Sequence, residues 1–518
     1  MNRSPKVCSW SLLLSLLMLV PSAGARAQDE LAPVIETLDV HVVNVDVVVT
    51  DRSGEVVRGL TRDDFELFED GKPVAITNFA WIERTPAPAE ETGAGEMAVE
   101  VPAEPPVPPQ PLHLVVYVDN RNLQPRNRNR LLPAVERFLE TRLAPGDQVM
   151  LVRSDTSLAV LQPFTTEREP VLAALKPLRK ATSRAMLAES EARRVASDLL
   201  NADDNSGEDA RVQAEMFREA ERNQALASLD TLTRFLQSFA GLPGRKAVLL
   251  ISDGVAMTDR AQNALKRVTD TANSGDVTFY TLDGVGTETA GDTNAASVAS
   301  GIERSLTGTL TVNRRRSLEA LADDTGGVAV SGTSNFDRGL ERIAQGLDSS
   351  YSLGFDPRRE RDGGYHKLKV KVKGSGLTVR HRDGYLDKPT VERLADRTLA
   401  ALSFATALDN PLGVAVQKIP GAGDDWVVAL PVASLTLVPQ RKAQHGQVRL
   451  LIASLGPAGE LRPVRGVELP IKIPIGKTNA DTPPAIGYKV SLEPGVTRIV
   501  VGAQDLLSST QSFARVDL

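Results

Sequence analysis

Apolar and polar positions alternate along residues 38–50, and the alternation slips once. Leu38, Val40 and Val42 share one parity, whereas Val43, Val45, Val47 and Val49 share the other. A period of two predicts a strand, and the slip predicts a β-bulge or a strand crossing between sheets. Asp51-Arg52-Ser53-Gly54 reads as a turn, and Thr61-Arg62-Asp63-Asp64 as a capped single turn of helix. Phe65 and Leu67, then Val74 and Ile76, flank Glu69-Asp70-Gly71-Lys72, a hairpin signal. Residues 31–84 therefore predict a small all-β unit. Residues 85–110 are Pro, Ala and Glu with almost no large apolar side chain, too little to bury, which predicts an extended linker.

From residue 111 the period changes. Leu112 to Val118 is a short apolar strand, followed by a helical face of Leu131, Leu132, Val135 and Leu139. Further strands are predicted at Val149–Val152, Leu158–Phe164, Ala247–Ile251, Val277–Leu282 and Val328–Val330. Helices are predicted at 171–178, 259–273, 317–322 and 336–347. Alternating buried strands and helices over 111–350 predict a Rossmann-like α/β domain, its mostly parallel sheet covered on both faces. Residues 183–240 interrupt it. Val195 and Leu199 form one apolar face, Leu229, Leu232 and Leu236 another, both amid charges, and Asn201 to Gly207 breaks the helix. This predicts a helical hairpin, coiled-coil in character, projecting from the sheet domain. Residues 351–386 are β-like again. Residues 391–402 predict a helix, and short strands from 411 to 518 predict a C-terminal β-sandwich, so the last unit spans 391–518. Neither 31–84 nor 351–386 has enough strands for a stable sandwich alone, so the two are expected to form one β-domain with the α/β domain inserted between them.

The first 27 residues carry a different signal. Arg3 and Lys6 precede an apolar run from Ser9 to Val20, and Ala25-Arg26-Ala27 fits a small-residue cleavage site. The run is shorter than the ~20 residues a bilayer span needs, so residues 1–27 predict a cleaved signal peptide and an exported protein, periplasmic or secreted. Cys8 is the single cysteine and lies in that leader. The mature chain then has no thiol chemistry, disulfide or cysteine-based zinc site. A net charge of −6 offers no electrostatic reason for nucleic acid or an anionic membrane as partner.

Enzyme signatures fail on inspection. Gly284-Val285-Gly286 has Thr289 where a dinucleotide fingerprint needs glycine, and Gly241 to Lys246 lacks phosphate-loop spacing. There is no Gly-x-Ser-x-Gly elbow. His41, His113, His366, His381 and His445 are scattered. A calcium loop starting at Asn201 would need Gly at 206 and Glu at 212, where Ser206 and Val212 stand, so a solvated turn is the reading there. What remains is a pair of strand ends. The strand from Leu112 runs into Asp119-Asn120-Arg121-Asn122-Leu123, and the strand from Lys246 runs into Ser252-Asp253-Gly254. Ligands bind beyond the carboxyl ends of an open parallel sheet, so two aspartates there could hold one hard cation; they equally suit capping of the elements that follow.

With those residues in view, 111–350 resembles a von Willebrand factor type A domain, and 33–518 resembles exported bacterial proteins of the VWFA-related family. The resemblance rests on Leu112–Asp119, Lys246–Gly254, Leu60–Gly71, Tyr351-Ser352-Leu353-Gly354-Phe355 and Val379–Tyr385, in the same order. It implies a metal-ion-dependent adhesion site with an Asp-x-Ser-x-Ser loop, a threonine and a second aspartate around Mg²⁺. Asp119 and Asp253 match the two aspartates, and Thr182 is the candidate threonine. Arg121 and Leu123 replace the two serines, so the site is degenerate. The expectation is a metal-free site with Arg121 paired to Asp119 or Asp253, and with Arg121 and Asn122 as binding residues. The carbonyl oxygen of Asn122 leaves weak Mg²⁺ or Ca²⁺ binding open. The implied function is non-catalytic protein binding in adhesion or envelope assembly, with no cofactor. The alternatives are a scaffold without a strand-end site and an unrecognised hydrolase.

Overall fold

The computed structural model describes residues 42–84, 112–200, 207–286, 314–357, 362–404, 408–420, 424–440, 443–457, 459–474 and 485–518. The expected leader 1–27, the linker 85–110, His41 and the turn at 201–206 lie outside them. The first strands are β1 (Val43–Thr50), β2 (Phe65–Glu69), β3 (Lys72–Val74) and β4 (Ile76–Glu83). Asp70 and Gly71 both have positive φ, 49° and 76°, which gives the tight β2–β3 hairpin the backbone twist of its flanking strands. Thr61 and the Asp64 carboxylate close the short helical turn before β2 at 2.8 Å.

The α/β region follows: β5 (Leu112–Val118), α1 (Pro125–Arg142), β6 (Gln148–Ser154), β7 (Leu158–Thr165), α2 (Arg168–Leu175), α3 (Arg184–Leu200), α4 (Gly207–Phe239), β8 (Arg245–Ser252), α5 (Asp259–Ser274) and β9 (Val277–Asp283). A helix over 314–324 (α6), β10 (Ala329–Val330) and α7 (Phe336–Asp348) complete it. The sheet order is β10-β9-β8-β5-β6-β7, parallel except for the antiparallel edge strand β7. All of β5 is buried because its two parities serve two layers. Leu112, Leu114, Val116 and Val118 pack with Leu131, Val135 and Leu139 of α1 and with Leu340 and Ile343 of α7. Val115 and Tyr117 pack with Leu229, Leu232 and Leu236 of α4 and with Leu265 and Val268 of α5. Continuous rather than alternating hydrophobicity is what burial on both faces demands.

This corrects one expectation. The inserted hairpin does not simply project: the half of α4 from Ala225 to Phe239 is a layer helix of the domain. Its apolar face belongs to the sheet, and the charges on its other side are solvated.

The chain then returns through β11 (Ser349–Phe355), β12 (Tyr365–Val372), β13 (Thr378–Arg380) and β14 (Gly384–Leu386). β11 lies between β1 and β4, antiparallel to both, and β12 joins β2 to β14. β1 pairs with β11 over Val43–Val47 and with β13 over Val48–Thr50. Residues 43–83 and 349–386 thus share two sheets around Val45, Val47, Leu67, Leu353 and Phe355, and the α/β region enters and leaves between them.

The helix α8 (Thr390–Ser403) leads into β15 (Ala415–Lys418), β16 (Asp425–Pro431), β17 (Val438–Gln440), β18 (Ala443–Leu455), β19 (Arg465–Pro474), β20 (Ala485–Ser491), β21 (Arg498–Asp505) and β22 (Gln511–Asp517). One sheet is β15-β16-β20, the other β17-β18-β21-β22 with β19 on β18, and Val428, Leu430, Leu450 and Val501 fill the space between. α8 covers the outer face of the larger sheet through Leu394 and Leu402, and Phe404 stacks edge-on to Phe164 at 5.6 Å, tying the sandwich to the α/β region. Among the described residues no helix is long and apolar enough to cross a membrane.

Where β4 ends, Arg84 is buried and donates to Asp147, just before β6, and lies 3.8 Å from Asp348 at the end of α7. Asp147 also accepts the amides of Ala144 and, at the start of β5, Leu112. Removing one partner of a buried pair leaves the other uncompensated. Arg84→Ala is expected to destabilise the chain by about 3 kcal/mol, read as a lower urea midpoint, and Arg84→Ala/Asp147→Asn to recover part of the loss. A single variant within 0.5 kcal/mol of the parent would remove this junction from the account.

Candidate functional site

In this sheet the chain runs from β5 outward to β6 and β7, then returns to the other side of β5 as β8. The carboxyl ends of β5 and β8 therefore flank a topological switch point, where open α/β sheets form their binding crevice. Asp119 and Asp253 both lie at that rim, 6% and 5% exposed. The Asp119 amide donates to the Ile251 carbonyl at 3.0 Å, which holds the two strand ends together.

Each carboxylate is held on one oxygen. Asp119 Oδ2 accepts from Asn122 Nδ2 and from Ser252 Oγ, both at 2.8 Å. Asp253 Oδ2 accepts from the Gln124 amide and from Asn127 Nδ2, both at 2.9 Å. The Oδ1 atoms of both residues are buried without a hydrogen-bond partner. Burial pushes the Asp253 carboxyl up to about 7, against the Gln124 and Asn127 donors that lower it; nearby Asp283 raises it further and Arg314 lowers it. Burial likewise raises Asp119, against the donors Asn122 and Ser252.

The other sequence candidates fall as follows. Arg121 pairs with neither aspartate: its Nε donates to the Asp155 carbonyl at 2.5 Å, and its own amide to the Ser154 carbonyl. The reason is local, since the 119–123 turn aims residue 121 at the end of β6. Asn122 joins the site through its side-chain amide, donating to Asp119 and to Ser228 Oγ at 2.9 Å and accepting from Gln224 Nε2 of α4 at 3.2 Å. Thr182 is exposed and contributes its backbone, its carbonyl accepting from Asn120 Nδ2 at 2.7 Å. The adjacent Ser183 is the buried hydroxyl, bonded to the carbonyls of Asn120 and Leu123. Leu123 is fully buried in the apolar core.

Sequence reasoning missed several participants, beginning with Gln124 and Asn127, which hold Asp253. Asp283 ends β9 as Asp119 follows β5, and is bound by Arg315 at 2.9 Å; its strand-end position was visible in the sequence. Arg128, fully buried, donates to Asn120 and to the Ala181 carbonyl. Ser228 and Gln224 come from α4, and Glu221 of the same helix pairs with Arg314. No motif announces that α4 lies across the strand ends. Gly284, read as part of a failed nucleotide motif, has a packing role: a Cβ there would sit 2.4 Å from Asp253 Oδ1.

The residues present do not suit a divalent cation. Such an ion takes about six oxygen ligands. Here N–H donors from Asn122, Asn127 and Gln124 face the carboxylates, and no group of three acidic, histidine or cysteine side chains converges among the described residues. Under α4, beside Asp119 and Ser252, is a cavity of about 20 Å³, room for roughly one water.

An open, mostly parallel sheet with helices on both faces and an acid-bearing switch point defines the class: a doubly wound α/β domain whose strand-end crevice is closed. No protein-family model matches the chain, and no curated protein matches it. Similar solved structures include an aerotolerance-related membrane protein from Bacteroides fragilis (11% identity, 46% of this chain and 98% of that one, TM-score 0.24) and BatB from Bacteroides thetaiotaomicron (12%, 46% and 98%, TM-score 0.24). A von Willebrand factor type A protein from Catenulispora acidiphila is 11% identical over 86% of this chain and 75% of its own, with TM-score 0.24.

A carboxyl raised to about 7 in the fold binds a proton there that the unfolded chain releases near pH 4. The stability it permits is therefore fully present below about pH 4 and is lost as pH rises through about 7. Asp253→Asn removes that loss. Its melting temperature relative to the parent is expected to rise between pH 5 and pH 8, by several degrees. A difference that stays flat with pH would show that Asp253 titrates normally.

Proposed function

We propose that this is an exported, non-catalytic protein-binding protein, of the adhesion or envelope-assembly kind, whose type A-like domain works without a metal at its strand ends. The observation that carries the reading is the sealed rim: Asn122 donates to Asp119 and to Ser228 of α4, so that a helix covers the position an incoming carboxylate and its cation would occupy. The chain's mild acidity, −6, leaves protein rather than nucleic acid as the partner. With the leader removed, the product is periplasmic or secreted, and no helix among the described residues is long and apolar enough to cross a membrane.

A scaffold reading, in which the hairpin makes the contacts, gains support from one feature. Met186 and Leu187 on α3 and Val212 and Met216 on α4 are exposed large apolar side chains, at 49%, 64%, 53% and 68%. Val212 and Met216 lie four residues apart on one helical face. Large apolar groups left exposed on a polar helix are a protein-contact signal. The two readings share a partner class and differ in the surface used.

Titration calorimetry with Mg²⁺ and Ca²⁺ separates them from a metal-bridged mechanism. We expect no binding tighter than millimolar, and a melting temperature unchanged by chelator. Submicromolar binding that Asp253→Ala abolishes would overturn the metal-free reading. Capture of an envelope partner that survives chelation, and is lost with Met216→Glu but not with Asp253→Ala, would select the hairpin.

A further inference from the structure

The amino ends of the same parallel strands face a second, unrelated feature. β4 is the outer strand of its sheet, in the order β13-β1-β11-β4, and its ladder runs to β11 alone among the described residues. Edge strands left bare recruit other strands, and natural ones are shortened or blunted with lysine or proline. β4 is eight residues long, Ile-Thr-Asn-Phe-Ala-Trp-Ile-Glu, with neither. At ~3.3 Å per residue it offers roughly 26 Å of unpaired backbone.

Beside that edge runs a crevice of about 1340 Å³, larger than the ~300–1,000 Å³ of small-molecule pockets. Every residue from Thr77 to Arg84 lines it. Successive side chains of a strand face opposite ways, so a cavity lined by eight in a row wraps the edge and not one face. Its far wall is the start of β8 and β9, with Gly244, Arg245, Val277 and Thr278.

The chemistry of the lining is neutral. Four acids and four arginines contribute, and three of the arginines are already engaged. Arg84 holds Asp147, Arg245 donates to the Leu347 and Gly346 carbonyls, and Arg382 donates to Asp276 and the Asn44 carbonyl. The floor is made of two rows across β1, β11 and β4: Asn44, Gly354 and Asn78, then Asp46, Ser352 and Ala80, with the Asp46 charge answered by Arg245 at 3.6 Å. No excess charge selects a phosphate or an acidic chain, whereas free strand-edge amides and carbonyls select another backbone.

We propose that the β4 edge binds an uncharged, proline-poor extended segment of another polypeptide, which adds to the sheet as a fifth strand. Main-chain hydrogen bonds supply the affinity, and the shallow floor under Ala80 and Ser352 admits small side chains at alternate positions. The site is separate from the strand-end rim, so this inference stands or falls without the metal-free reading.

The probe is a display library of random nine-residue peptides selected on the chain from Gln28 onward, with hits resynthesised and titrated by fluorescence anisotropy. Methylating backbone nitrogens of a hit one at a time is expected to weaken binding at least tenfold at every second position and little between. Bound peptide is expected to slow hydrogen exchange over 76–83. Ala80→Trp, and at an exposed position Asn78→Trp, are each expected to weaken binding at least tenfold with the melting temperature unchanged. Hits without the alternation, hits indifferent to both tryptophans, a library that yields none, or amides over 76–83 already protected in the free chain would each overturn the proposal. So would selective retention of a chitin or peptidoglycan oligosaccharide in the crevice, blocked by Asn78→Trp, in place of peptide.

Discussion

The architecture depends on β11 lying between β1 and β4. An antiparallel pair in which a strand from beyond residue 348 fills the gap between two strands from before residue 84 forces both ends of the intervening chain to one place. The α/β region must therefore start and finish at that seam, and its own sheet obliges, since the amino ends of β5, β6 and β8 and the end of α7 all meet there. Arg84 and Asp147 seal the seam with a buried charge pair, and Arg245 adds donors to the last carbonyls of α7, where a helix end leaves acceptors free. The crevice of the seam lies between β4 and the starts of β8 and β9.

At the other end of the parallel strands the same topology brings carboxylates together, but what surrounds them changes their chemistry. Placed in water, Asp119 and Asp253 would be ionised cation ligands. In the fold they are desolvated, and amide donors from Asn122, from Gln124 and from Asn127 at the start of α1 supply the compensation that a metal ion would otherwise provide. One oxygen of each is left without a partner, which is why the proton becomes the economical counter-charge and why Asp253 is pushed to about 7. Arg121 adds only its charge, which lowers Asp119, because the turn carries its hydrogen bonds to the neighbouring strand end.

Legibility followed the range of the interaction. Periods of two and 3.6 marked nearly every strand and helix, including β8, where five consecutive apolar residues match a strand buried on both faces. The strand-end aspartates could be singled out because position after a buried strand is itself a physical cue. Asp283 satisfied the same cue and was passed over because no motif pointed to it. Arg128, Ser228 and Gln224 had no local signal: each matters through a partner far along the chain, as Gln224 does through Asn122. The half of α4 that became a layer helix was misjudged because an amphipathic face looks the same whether it meets a partner helix or a sheet.

What the amino-acid order determined alone was local: where strands and helices form, which positions must leave water, and which polar groups stand at element ends, because backbone sterics and side-chain burial act over a few residues. Which strand lies beside which, that a helix covers the acidic rim, and that β4 is left at an edge beside a crevice were decided only in the folded chain. Those outcomes arise from packing and hydrogen bonding between residues hundreds of positions apart, where the free energy of each contact depends on all the others being in place.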